Sequence, residues 1–173
     1  LDLAGEMGAE TQLLDLRVTE LPFYRSDKDY VETVVKQVSD LVEWADVLLL
    51  GSPDYHGTMS GALKNFLDFH WEEFAGKLFG YICASHEKGL TVMDQMRTAV
   101  RQCYGWSLPY GISIHGELDF SEDGTIQNSR LAERLAMLTR DLVVYGDLIR
   151  QQFLRDLADR EERTFARRYW PPQ

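Results

Sequence analysis

Continuous apolar runs alternate along this chain with stretches in which apolar residues recur every three or four positions. Val47-Leu48-Leu49-Leu50 and the run from Leu78 to Ala84 are apolar at successive positions. That is the pattern of strands buried on both faces. Between residues 28 and 44 the apolar set Val31, Val34, Val35, Val38, Leu41 and Val42 falls on one helical face, and Ser26 or Asp27 can cap it. Further helices are expected at 62–74, with Ser60 or Gly61 near the cap, at 91–104 and from 128 to about 149. In the second of these, Val92, Met96, Ala99, Val100 and Cys103 make the inner stripe, and Thr91 with Asp94 resembles a capping box. In the third, Leu131, Leu135, Leu138, Leu142, Tyr145 and Ile149 face inward. Strands are expected at 11–17, 46–51, 78–84 and 109–115, and residues 1–8 read as the tail of a helix closed by Gly8.

Strand and helix therefore alternate, which is the mark of an α/β fold with a parallel sheet covered on both sides. At 173 residues the chain has the length of one ordinary domain, divided here into a body at 1–150 and a charged tail at 151–173. The tail ends among Phe165, Tyr169 and Trp170, aromatic anchors suited to an arm on a second subunit. Hydrophobic residues make up 45% and charged residues 27% of the chain, a globular balance. No apolar run has the length of a membrane span. The net charge of −10 speaks against nucleic acid and anionic membranes as partners. Cys83 and Cys103 show no C-x-x-C spacing and read as buried thiols in a reducing cytoplasm.

The candidate chemistry lies in residues 45 to 69, ADVLLLGSPDYHGTMSGALKNFLDF. A strand runs into a small-residue loop and then a helix, so backbone N–H groups and a helix N-terminus gather at the carboxyl edge of the sheet. Open parallel sheets bind ligands at that edge, and unpartnered amides suit an anionic or carbonyl-rich ligand. His70, His86 and His115 form no metal-ligand spacing, and there is neither H-E-x-x-H nor G-x-S-x-G. No metal and no hydrolase chemistry are expected.

The run from Ser52 to Asn65, SPDYHGTMSGALKN, resembles the S-P-E-Y-N-x-S-x-P-G-x-L-K-N signature of the NADPH-dependent FMN reductases. FSEDGTI at 120–126 is similar to that family's last connection. The resemblance spans roughly residues 10–150. It implies a flavodoxin-like three-layer αβα sandwich with a parallel sheet in the order 2-1-3-4-5. It also implies FMN as cofactor, NADPH or NADH as hydride source, and assembly as a homodimer or homotetramer through the aromatic-rich 62–74 helix. The FMN-holding residues would be Ser52, Pro53, Asp54, Tyr55, His56, Gly57 and Thr58 in one loop. Ser85, His86, Glu87, Lys88 and Gly89 would form the second. Lys64, Asn65 and Asp68 would position the first loop.

Asp54 stands where the family has Glu and His56 where Asn is common, and the 85–89 loop is poorer in glycine. The family also opens with a central strand and a G-S-x-R-x-x-S phosphate loop. Neither is found in this chain, so the sequence is expected to be incomplete at its start. A buried strand carries several aliphatics worth ~1.5–3 kcal/mol each, a sum comparable with the whole stability of a domain, roughly 5–15 kcal/mol.

No catalytic side chain is expected, because the flavin supplies the reacting atoms. The function so implied is an oxidoreductase that passes hydride from NAD(P)H through FMN to a quinone, an azo or nitro compound, a metal oxyanion or free flavin. An electron carrier or redox sensor is the alternative, and the acidic surface suits docking to a basic partner.

Overall fold

The computed structural model describes residues 1–159 and 163–169. After a short helix α1 (Asp2–Glu6) and an irregular segment, α2 (Thr33–Trp44) leads into β1 (Val47–Pro53). Then follow α3 (Gly61–Asp68), a 3₁₀ turn at Glu72–Phe74 and β2 (Leu78–Ala84). The remainder is α4 (Leu90–Gln102), β3 (Trp106–Ser107), β4 (Ile112–Ile114), α5 (Gly116–Asp119), α6 (Ser129–Ala158) and α7 (Phe165–Tyr169). Among the described residues these strands pair only in parallel. β1 pairs with β2 from Val47↔Leu78 to Pro53↔Ala84, while β3 and β4 both pair with the other edge of β2.

The apolar run of β2 divides by parity, because successive side chains leave a strand on opposite faces. Phe79, Tyr81 and Cys83 enter one core with Val38, Val42, Leu63, Phe66, Val92 and Met96. Leu78 and Ile82 enter the other with Leu131, Leu138, Leu142 and Ile112. Helices thus cover both faces, as the unbroken hydrophobicity requires. α6 lies close on the sheet because Gly146 has no side chain: a Cβ there would stand 2.1 Å from Val47 Cγ2.

Several expected boundaries are corrected. Residues 11–17 form no strand. Leu14, Leu16 and Leu21 pack against the first core, so their apolarity reflects burial. Asp15 instead closes a turn, its carbonyl accepting from the amides of Val18 and Thr19, and a strand needs a paired neighbour. Among the described residues no strand precedes β1, and the sheet runs β1-β2-β3 with β4 also on β2, so it does not display the expected order 2-1-3-4-5. The helix expected from 28 starts at Thr33, with Glu32 at its cap. Tyr30 is drawn instead onto Tyr24 and Phe69, and Asp27 pairs with Arg25.

The 62–74 helix stops at Asp68, where the imidazole Nδ1–H of His70 donates to the Phe66 carbonyl at 2.9 Å. The capping box at 91–94 is absent: the N-cap is Gly89 and Asp94 pairs with Arg97. The 109–115 strand shortens to 112–114, and a two-residue strand at 106–107, before the expected start, also pairs with β2; Pro109, between them, cannot donate to the ladder.

The aromatic surplus of residues 66–74 is mostly consumed inside the chain. Phe66, His70 and Phe74 stack in the core beside Phe79, and Phe69 meets Tyr24 and Tyr30. Trp71 is left 59% exposed. α6 continues through residue 150 to Ala158. α7 folds back, with Ala166 in a cluster with Phe153 and Ala75 and the Phe165 ring 5.1 Å from that of Tyr104. Trp170 and the side chain of Tyr169 lie outside the described residues. Among the described residues no helix is long and apolar enough to cross a membrane.

Lys77 is buried and closes the C-terminal end of α2, its ammonium donating to the carbonyls of Val42 and Glu43. Burial, helped by the charge of Arg150, lowers its pKa to about 8. Unfolded lysine, at about 10.4, holds its proton longer than the folded one. Between about pH 8 and 10.4 the unfolded state therefore binds more protons, and this group makes stability rise with pH. Denaturant unfolding across pH 7–11 should show that rise in the native protein and lose it in Lys77→Met.

Candidate functional site

β1 and β2 end side by side at Pro53↔Ala84, so the loops that follow leave the same edge. Asp54 joins them. Its amide extends the ladder by donating to the Ala84 carbonyl at 2.8 Å. Its carboxylate accepts from the Gly57 amide at 2.8 Å and from the Ser85 hydroxyl at 3.0 Å. The shorter Asp, where the resembling family carries Glu, bridges the two loops directly.

The first loop is a two-residue hairpin. Tyr55 and Thr58 exchange both backbone hydrogen bonds, at 3.0 and 3.1 Å, and His56 and Gly57 have φ of 57° and 77°. Two successive positive φ values mark the type I′ turn. Histidine is among the few side chains enriched in that left-handed region, so His56 fills the conformational place of an asparagine. The Thr58 hydroxyl is spent locally on the carbonyls of Tyr55 and Met59. Ser52 is buried, and its hydroxyl accepts from the Ser60 amide at 2.9 Å and donates to the Pro53 carbonyl. Ser60 then caps α3 through the Leu63 amide. Tyr55 projects outward, 60% exposed.

Gln95 was not legible as a site residue. From α4 its side chain accepts from the Met59 amide and donates to the Gly57 carbonyl, both at 3.2 Å. A polar residue bordering the inner stripe of Val92 and Met96 was the available signal. Asn65 grips a different segment, accepting from the Tyr24 amide and donating to the Pro22 carbonyl. Lys64 pairs with Asp68.

The second loop is anchored to both neighbouring strands. The Ser85 amide donates to the Ile114 carbonyl at 3.0 Å, the Ser85 hydroxyl accepts from the Glu87 amide at 3.1 Å, and the Ser113 hydroxyl donates to the Glu87 carbonyl. Gly89 has φ of 58° and lies against Cys83: a Cβ there would stand 2.5 Å from Sγ. Burial, and then the charge of Asp54, push the Cys83 thiol up, so it remains a protonated core residue. Both cysteines are free.

The amides at this edge therefore divide. Those of Asp54, Tyr55, Gly57, Thr58, Ser85 and Glu87 are spent on the loops themselves. Those of His56, His86, Lys88 and Gly89 find no acceptor among the described residues. The first turn of α4 directly follows, and its amides are unpaired by helix geometry. The hydrogen-bonded frame thus leaves a few amides without an acceptor near the exposed Tyr55 and Lys88, donors that could serve a ligand rich in acceptor atoms. No group of three or more metal-ligating side chains occurs among the described residues. A groove of about 320 Å³ lined by Arg97, Arg101 and Trp106 stands at the opposite end of the sheet, where β3 meets Leu78 and Phe79.

The sequence profile of the NADPH-dependent FMN reductase family matches residues 1–117. The NADPH azoreductase of Bacillus sp. strain OY1-2 is 30% identical over 138 residues, covering 78% of this chain and 74% of that protein. The FMN-dependent NADPH-azoreductase of Staphylococcus haemolyticus is 35% identical over 104 residues, 57% of this chain and 54% of that protein. Among solved structures, the flavoenzyme NAD(P)H:(acceptor) oxidoreductase FerB of Paracoccus denitrificans superposes with a TM-score of 0.68. It does so at 18% identity, over 84% of this chain and 86% of that one. At that identity the likeness concerns the fold, which is flavodoxin-like.

Asp54→Ala leaves the Gly57 amide and the Ser85 hydroxyl without their acceptor. It should cost ~1–3 kcal/mol of stability in denaturant unfolding and speed hydrogen exchange at Gly57. Unchanged exchange there would show that the carboxylate does not hold the loop.

Proposed function

Because the chain belongs to the NADPH-dependent FMN reductase family, we propose that it is an oxidoreductase that holds FMN at the 53–58 and 85–89 loops. Reduced nicotinamide delivers a hydride there, and the electrons pass to a second small molecule in the same open site. A quinone, an azo or nitro compound, a metal oxyanion and free flavin are the acceptor classes that fit. Bound FMN supplies the redox chemistry; the chain supplies position and charge.

The observation that carries this reading is the Asp54 bridge. By tying the Gly57 amide and the Ser85 hydroxyl to one carboxylate, it fixes both loops at a common edge before any ligand arrives. The amides of His56, His86, Lys88 and Gly89 then donate to ring carbonyls and nitrogens. Fixed amides stabilise negative charge on a ligand without having to reorganise. Tyr55 covers the rim of the ring and Lys88 offsets charge beside it. Ser52, Pro53, Gly57, Thr58, Glu87 and Gly89 shape and brace the two loops.

Copies are expected to associate through the face that carries the exposed Trp71, with the C-terminal arm contributing to the seam. The two free thiols suit a reducing compartment such as the cytoplasm.

The test is a titration of purified protein with FMN, followed by steady-state oxidation of NADPH and NADH with a soluble quinone. Saturable uptake of the flavin and quinone-dependent turnover are expected. Binding without turnover, with reduction only by a partner protein, would make the chain an electron carrier. Absence of binding would remove the reductase reading.

A further inference from the structure

His86 and His115 follow the ends of β2 and β4 and meet at the rim of the second loop. His86 Nδ1 lies 3.2 Å from His115 Nε2, and the rings stand edge to face, 4.9 Å between centroids. A neutral imidazole carries one N–H, so in this contact one ring donates and the other accepts. The other nitrogen of His115 decides which. His115 Nδ1 is buried with no hydrogen-bond partner. An orphaned N–H in the interior is costlier than an orphaned lone pair. Nδ1 is therefore unprotonated, and the His115 proton sits on Nε2, where it donates to His86 Nδ1. His86 must then carry its own proton on Nε2, and His86 is exposed.

The base of the pair is held firmly. The His115 amide donates to Asp119 Oδ2 at 2.6 Å, and the Asn128 side-chain amide donates to Asp119 Oδ1 at 2.7 Å. These two donors hold the Asp119 carboxyl below the usual carboxylate range, and Asp119 is only 7% exposed. Asn128 also caps α6. The His115 backbone is thus fixed to the start of the longest helix.

We propose that His115 is a positioning residue that locks His86 in its Nε2–H tautomer. His86 then offers a neutral side-chain donor beside the open amides of Lys88 and Gly89, to a carbonyl or ring-nitrogen acceptor of the bound heteroaromatic ring. The ligand half of this statement rests on the FMN reading above; the tautomer half does not. The arrangement is that of a metal-free imidazole oriented through its second nitrogen, the device by which one ring nitrogen is committed so that the other can act.

The tautomer is read without any variant, by long-range ¹H–¹⁵N correlation on histidine-labelled full chain at pH 8. His86 and His115 should both show protonated Nε2 and bare Nδ1. His115→Phe keeps a ring but removes the donor. It should leave His86 a mixture of tautomers and weaken FMN about fivefold, the loss of one ordinary hydrogen bond. His115→Gln, whose amide can still donate to His86 Nδ1, should restore both. A protonated Nδ1 on His86 in the native protein would overturn the proposal, as would unchanged tautomer and FMN affinity in His115→Phe. The predicted tautomers in a chain that takes up no FMN would instead remove the reading of the site, and the donor role with it.

Discussion

Two parallel strands must end at the same level for their loops to share a ligand, and Asp54 is the residue that enforces this. Its main chain takes the last hydrogen bond of the β1–β2 ladder, and its side chain takes the first contacts beyond it. One residue thus converts sheet register into loop geometry. Gln95 repeats the constraint from α4, so strand, loop and helix are tied at one corner. Because these bonds use up most of the local amides, those that remain, at His56, His86, Lys88 and Gly89, are few. The same economy of partners recurs at the His86–His115 contact, where the one orphaned nitrogen, His115 Nδ1, is the ground for the tautomers proposed for both rings.

The fold was legible wherever hydrophobicity had a single physical cause. In β1, β2 and α4 the apolar pattern comes from strand or helix period against a core, and the elements sit where that period puts them; α6 follows the period through Leu142, then leaves Tyr145 44% exposed, with Gly146 in the inner place, and runs on to Ala158. It misled where apolar residues are buried without being paired. Leu14 and Leu16 pack into the core from an irregular segment, and nothing in their spacing separates that from a strand. Tyr30 interrupts an otherwise helical pattern because Tyr24 and Phe69 offer a better place for its ring. Pro109, read as the first residue of the last strand, lies instead between two short stretches that pair with β2, at 106–107 and 112–114.

At the candidate site, sequence placed the two loops at one sheet edge, where the structure has them, since small residues after apolar runs mark the carboxyl edge of a parallel sheet. It did not separate residues that face a ligand from those that build the frame. Ser52 and Thr58 look like contact residues by type, yet their hydroxyls are spent inside the protein. Gln95 and Asp119 act across 30 to 40 residues or through a neighbouring amide, and one-dimensional spacing holds no trace of either. His56 shows the converse: it departs from the family's usual residue and still satisfies the backbone, because the turn selects for a left-handed conformation first and a side chain second.

The central claim is that open amides on the two loops hold a flavin ring. Its most direct test is a ¹H–¹⁵N spectrum of the protein during addition of FMN. The account predicts that the largest shifts fall on the amides of His56, His86, Lys88 and Gly89, with smaller changes at Tyr55, Gly57 and Thr58, whose hydrogen bonds are already made. Shifts centred elsewhere, for instance around Arg97, Arg101 and Trp106 at the far end of the sheet, with the two loops unmoved, would contradict it.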